Sequence, residues 1–240
     1  MKILSVESST SVTSTAIVEA FDNNFQQYKV LGYNFSGVAL THSQTLMPMV
    51  ESMLKNTQID IKEIDLLAVA NGPGSFTGLR VGIAAVKGMA LALNKPCAPV
   101  STLHSLAFNI DIEENQLICS TIDARCNRVY YALFDHNKDR ISDDKVVEIT
   151  NLSKILRPLN KKIFFLGNGS ELCYNEFSDY VSLPSVKFRY QNAVSVALNA
   201  IYNINKGYEP VDADNLLPEY LKLAQAEIDL SKRGDNLWFL

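Results

Sequence analysis

The chain has 240 residues, enough for one large domain or for two lobes, each with a sizeable core. Hydrophobic residues at 47% and charged ones at 20% describe an ordinary soluble globular protein. A net charge of −4 argues against binding nucleic acid through bulk charge, and no uncharged apolar run reaches the length of a bilayer span.

The opening residues, Met1 to Glu7, meet an acid too early for a signal peptide, so the expected location is the cytoplasm. Cys97, Cys119, Cys126 and Cys173 show no two-residue spacing, which suggests reduced thiols rather than a zinc ribbon or a redox pair. Ile3 to Val6 and Thr15 to Val18 read as strands joined across Ser8-Ser9-Thr10-Ser11, and Tyr28 to Phe35 completes a meander. A helix follows, opened by Thr41 with Gln44 as a capping box, its apolar stripe made of Leu46, Met49, Val50, Met53 and Leu54. Leu66 to Ala70 is a short buried strand of the parallel-sheet kind. Beyond the glycine-rich run and the helix behind it, Cys97 to Val100 is a strand, and Ser101 caps a helix through Phe108.

The second half repeats this order. Leu117 to Ile122, Arg128 to Phe134 and Val146 to Ile149 are strands, Leu152 to Leu156 a short helix, and Ile163 to Leu166 a strand. Helices are expected at Ser170 to Phe177 and Ala193 to Ile204, with strands between them. In each half the first strand ends in an acid, Glu7 and Asp123, and the later buried strand runs into Asn-Gly, at Asn71 and Asn168. The repetition predicts two related α/β lobes, residues 1–112 and 113–240, the second carrying a C-terminal extension. Duplicated lobes of this kind have, by analogy, the architecture of actin-like and sugar-kinase-like proteins.

The most informative stretch is Gly72-Pro73-Gly74-Ser75-Phe76-Thr77-Gly78-Leu79-Arg80 and the helix running on to Leu93. A strand, a glycine-rich turn and a helix N-terminus together make an anion site. The P-loop and dinucleotide patterns do not fit: Leu79 stands where a P-loop needs Gly-Lys, and Gly78 is misplaced for the third dinucleotide glycine. The turn either contacts phosphate or simply lets strand and helix pack closely. At about 100° per residue, Leu79, Ile83, Val86, Ala90 and Leu93 form a bulky side of the helix. Gly78, Val81, Ala84, Ala85, Gly88 and Ala92 form a small-residue side, expected to meet another backbone, either of this chain or of a partner. No acid occurs between Leu66 and Ile110, while Arg80, Lys87 and Lys95 do; burial explains this better than an anionic partner.

Glu7 and Asp123 could hold a metal–nucleotide or activate water, but a carboxylate at a strand-to-turn junction more commonly caps the turn. His42 and His104 lack a second ligand at helical spacing and His136 lies in a charged loop of Asp135, Lys138, Asp139 and Arg140, so no metal site is expected. No Gly-x-Ser-x-Gly elbow is present, and no catalytic residue is assigned.

Several stretches together resemble the TsaB (YeaZ) family of bacterial tRNA threonylcarbamoyladenosine biosynthesis proteins. They are Ile3 to Ser9, His42-Ser43-Gln44 with Leu46 and Pro48, Gly72 to Gly82, Asp123-Ala124-Arg125 with Val129-Tyr130, and Pro218-Glu219-Tyr220-Leu221-Lys222. The resemblance implies a duplicated actin-like (ASKHA, RNase H-like) two-lobed fold, degenerate relative to the catalytic subunit TsaD. It implies a non-catalytic partner that binds TsaD together with the ATPase TsaE, so that threonylcarbamoyl reaches adenosine 37 of tRNA. On that reading tRNA is met only through the complex, isolated chains can pair as homodimers, and no membrane is involved. This chain alone holds no cofactor; ATP or ADP, if bound, belongs to the assembled complex. The family's dimer surface uses helices of the N-terminal lobe, which suits the small-residue side. TsaD's metal-holding histidine pair is reduced to His42. Glu7 stands where relatives usually have Asp and Lys222 where they often have Arg. The rival readings are a small-molecule kinase or metal-dependent hydrolase of the same fold, and a free-standing nucleotide-binding regulator.

Overall fold

Lys2–Glu7 (β1), Thr13–Ala20 (β2) and Tyr28–Ser36 (β3) pair antiparallel, and Leu66–Gly72 (β4) and Cys97–Ser101 (β5) join the far side of β1 in parallel. The computed structural model describes residues 1–21, 26–37, 42–177, 179 and 181–221. Thr41, the expected helix cap, and Lys222 lie outside these. The second sheet holds Gln116–Asp123 (β6), Arg128–Phe134 (β7), Lys145–Glu148 (β8), Lys162–Leu166 (β9) and Val181–Ser182 (β10). The two orders are β3-β2-β1-β4-β5 and β10-β9-β6-β7-β8, which is one topology read in opposite directions. The duplicated α/β architecture is therefore present strand for strand.

His42–Thr57 (α1) and Phe76–Leu93 (α2) cover one face of the first sheet. Leu46, Val50 and Met53 of α1, with Ile83 and Val86 of α2, pack on Leu4, Val6, Ile17, Leu67 and Val69. Thr102–Ala107 (α3), Ile149–Leu156 (α4), Ser170–Phe177 (α5), Val186–Arg189 (α6) and Ala193–Asn205 (α7) complete the helices. α4 and α5 bury Leu152, Leu156, Cys173 and Phe177 on one face of the second sheet.

The last helix of each half crosses to the other half's sheet. Leu103 and Leu106 of α3 pack on Ile118, Ala132 and Phe134 of the second sheet. Val196, Ala197, Ala200 and Ile201 of α7 pack on Ile3, Ala16, Val18 and Ala68 of the first. α7 is buried along most of its length, and several polar groups at its contacts are paired. Ser5 Oγ donates to Ala193 O at 2.7 Å, Ala193 N donates to Ser14 Oγ at 2.8 Å, and Asn199 Nδ2 donates to Ser105 Oγ at 3.1 Å.

α6 stands where strands were expected, beside a β10 of two residues. Four residues are too few to show a helical period. The Arg189 guanidinium holds this segment, meeting Glu171 of α5 at 2.7 Å and the nearby Pro184 carbonyl at 2.9 Å.

Candidate functional site

β1 ends in Glu7 and β6 in Asp123, and the turns that follow them face each other across a cleft between the sheets. A cavity of about 580 Å³ there is lined by Ser9, Thr10, Ser11, His42, Gly74, Ser75, Asp123, Arg125 and Asn168 among others. Its walls are mainly polar, with Asp123 and Arg125 among hydroxyl and amide groups. Each acid braces its own turn through one oxygen, and the other Glu7 oxygen, Oε2, is buried without a partner among the described residues. Glu7 is fully buried, and its Oε1 accepts from Ser9 N at 2.6 Å and from Ser9 Oγ. Burial pushes the Glu7 carboxyl up to about 7, with the Ser9 donors acting in the opposite direction. Asp123 Oδ1 accepts from Arg125 N at 2.8 Å, an Asx turn. His42 is engaged with Thr13, Nδ1 to Oγ1 at 2.6 Å. Among the described residues no three His, Cys, Asp or Glu side chains gather where they could hold a metal.

The glycine-rich turn is directed at the chain itself. Ser75 N donates to Ser9 O at 2.6 Å, and Ser75 Oγ caps α2 by accepting from Gly78 N at 3.3 Å. A Cβ on Gly74 would overlap the Ser9 carbonyl oxygen, one on Gly78 the Ser8 carbonyl oxygen, and one on Gly82 the Ser8 hydroxyl. Of the two readings of this turn, close packing is the one the geometry favours. Gly74, Gly78 and Gly82 recur at every fourth position and form a seam along which α2 lies on the β1–β2 turn. That spacing was visible in the sequence as a signal of close approach, but nothing local names the surface approached.

Gly78 is accordingly removed from the expected partner face: it sits at the margin of the buried side and packs on Ser8. The remaining residues of that face are placed differently. Ala84, Gly88 and Ala92 are exposed, Val81 and Ala85 are half-buried, and Leu91 beside them is 66% exposed. A Cβ on Gly88 would meet nothing within 4 Å. By length and composition α2 would suffice to cross a membrane, yet its other side, from Leu79 to Ala90, lies in the core of the first sheet.

The late motif forms a strap over the start of α2. Glu219 N donates to Asn71 O at 2.7 Å, and the Tyr220 ring stacks on Phe76 at 4.7 Å. Arg80 lies over Phe76 at 3.7 Å and donates from Nε to Tyr220 Oη at 3.0 Å. Gly72, at φ +140°, leaves room for the Glu219 carbonyl, which a Cβ would overlap. Tyr220→Ala is expected to cost about 1.5 kcal/mol by loss of the stack and the hydrogen bond, measured by urea denaturation.

A family model described as TsaD, tRNA N6-adenosine threonylcarbamoyltransferase, matches residues 25–229 of the chain. The tRNA threonylcarbamoyladenosine biosynthesis protein TsaB of Bacillus subtilis is 27% identical over 231 residues, covering 95% of this chain and 96% of that protein. The chain belongs to the TsaB/YeaZ family, within the TsaD-like fold. The TsaB of Escherichia coli is 31% identical over 142 residues, 59% of this chain and 58% of that one. The solved structure of YeaZ from Pseudomonas aeruginosa superposes with a TM-score of 0.73 at 25% identity, covering 92% of this chain and 99% of that one. The family's architecture is thus the duplicated actin-like one described above.

Proposed function

We propose that the chain serves tRNA threonylcarbamoyladenosine formation in the cytoplasm as a non-catalytic subunit, by seating TsaD on the open face of α2. The observation that carries this reading is that face itself. Ala84, Gly88, Leu91 and Ala92 are exposed on a helix that is apolar nearly all round. Such a helix calls for cover on both sides, and the first sheet provides one. Small side chains on the other side let a second helix approach closely. A partner of related fold presents helices at the equivalent place, so the occupant is TsaD, or a second copy of this chain when TsaD is missing. TsaE joins that pair, tRNA is reached only through the complex, and ATP or ADP belongs to the assembly. Glu7 and Asp123 each brace the turn that follows them, which fits a subunit that leaves the transfer to TsaD.

Gly88→Arg tests this. The monomer accommodates the side chain, since a Cβ there meets nothing within 4 Å. In a close helix pair the guanidinium would be buried without a partner, which weakens association with TsaD by roughly 100-fold or more. Light scattering of the mixed proteins, with circular dichroism to confirm the fold, reads this out. Assembly equal to that of the parent chain would overturn the reading. Ala85→Arg is a poorer probe, because Ala85 also packs on the chain's own core.

A further inference from the structure

Each sheet has two edges, and among the described residues three of the four are guarded. At β5, Cys97 N donates to Val211 O at 2.7 Å and Val211 N to Cys97 O at 2.8 Å, so the chain itself covers that edge. β10 has two residues, and β8 has four, of which Lys145 and Glu148 are charged. Covering segments, short strands and charges are ways in which natural sheets avoid pairing with other chains. β3 has none of the three. It is nine residues long, and Lys29 is its one charge.

One face of β3 is bare as well. α7 covers the side of β2 that carries Ala16, Val18 and Ala20, and the β3 residues in register with them continue that side outward. Tyr28, Val30, Tyr33 and Phe35 stand there, 41%, 41%, 43% and 48% exposed. On the other side Leu31 and Gly32 lie together in the core under α1, where the register with β2 shifts by one residue. That shift makes the strand self-complementary. Residues directly opposite in an antiparallel pair share a face, whereas residues seven apart in a regular strand do not. Here Tyr28 and Phe35 do share one. With a two-fold axis between Leu31 and Gly32, Tyr28 falls opposite Phe35 of a second copy, Val30 opposite Tyr33, and Lys29 opposite Asn34. Aromatic side chains then meet aromatic or β-branched ones, and the one charge meets an uncharged amide. A two-fold contact between identical surfaces requires such a pattern.

We propose that two copies of the chain pair antiparallel through β3 about this axis, joining their first sheets into one. Pairing satisfies the outward backbone groups of β3 and covers its four exposed side chains. The contact closes on itself, because Val211 covers the other edge of that sheet. It does not use α2, so it is independent of the partner face proposed above.

Sedimentation equilibrium of the full chain carrying Gly88→Arg tests this, since that change removes pairing through α2. The chain is expected to dimerise still. Val30→Lys or Tyr33→Glu, each added to Gly88→Arg, should weaken dimerisation about tenfold or more with an unchanged circular dichroism spectrum. Mixing the two charged variants should restore it, since position 30 of one copy faces position 33 of the other and opposite charges meet. Amide hydrogen exchange along β3 in the Gly88→Arg chain should also slow as protein concentration rises, a reading that needs no folded charge variant. A Gly88→Arg chain that stays monomeric up to about 1 mM, parent-like dimers in either folded variant, no recovery on mixing, or exchange independent of concentration would each overturn the proposal. If the parent dimerises and the Gly88→Arg chain does not, the copies meet through α2, and this proposal fails while the reading of α2 stands.

Discussion

Gly78→Ala is expected to destabilise the chain by about 3 kcal/mol, whereas Gly88→Ala, on the same helix, should stabilise it by about 0.5–1 kcal/mol. Both changes add one methyl group and both remove the entropic cost of a helical glycine. They differ in what the methyl group meets. At Gly78 it falls on the Ser8 carbonyl oxygen, a backbone atom held by the β1–β2 turn, so the helix and the turn must move apart. That movement also disturbs the Ser8 Oγ hydrogen bond to Gly78 O, 2.9 Å long. At Gly88 the methyl group meets nothing within 4 Å, and only the propensity gain remains. Urea denaturation of the two variants measures both values. Equal effects at the two sites would mean that the seam and the open face are physically alike, contrary to the geometry.

A second large effect concerns pH. The stability difference between Glu7→Gln and the parent should grow by about 3 kcal/mol in favour of the variant as pH rises from 4 to 8. Burial holds the Glu7 carboxyl at about 7 in the folded chain against an ordinary value of 4.5. In that interval the folded chain binds the proton and the unfolded chain has lost it, so stability falls as pH rises. It has fallen fully once pH passes 7. Glutamine keeps an oxygen for the Ser9 donors and has no proton to lose, so the variant escapes the fall. His104 acts in the opposite sense. Burial lowers its pKa from 6.5 to about 4, with its Nε2 2.9 Å from the Lys138 carbonyl oxygen, so its contribution rises between those values. The two slopes oppose each other in the parent between pH 4.5 and 6.5, and the variant leaves the His104 slope without that opposition. Denaturation midpoints of variant and parent across that range check both statements. A constant difference would show that Glu7 titrates alike in the folded and unfolded chains.

Local pattern carried much of the fold. The apolar runs that place β1, β4, β6 and β9 and the stripes that place α1 and α2 depend on residues within a few positions of one another. Ser101 at the start of α3 and Asn192 at the start of α7 accept from the backbone nitrogens of His104 and Ser195, as capping residues of their type do. α6 was missed because its single turn has no period, and Arg189, its buried cation, depends on Glu171 from another helix. The partner face was legible as a stripe of small residues, but not its limit. Only the position of Ser8 decides that Gly78 belongs to the chain's own packing. That β3 and not β5 is the bare edge of the first sheet had no local signal, since Val211 reaches β5 from a distant part of the chain.

Taken alone, the amino-acid order determined most of the strands and helices, α6 excepted, that the two halves repeat, and that α2 has one bulky and one small-residue side. Each of these follows from side-chain size and polarity at near-neighbour spacing. Tertiary structure alone decided that α3 and α7 cross to opposite sheets, that the glycine seam faces Ser8 and Ser9, and that Glu7 is buried deeply enough to hold a proton near neutrality. These rest on contacts such as Ser8 with Gly78, 70 positions apart, whose energies depend on volume and desolvation after the chain has closed on itself.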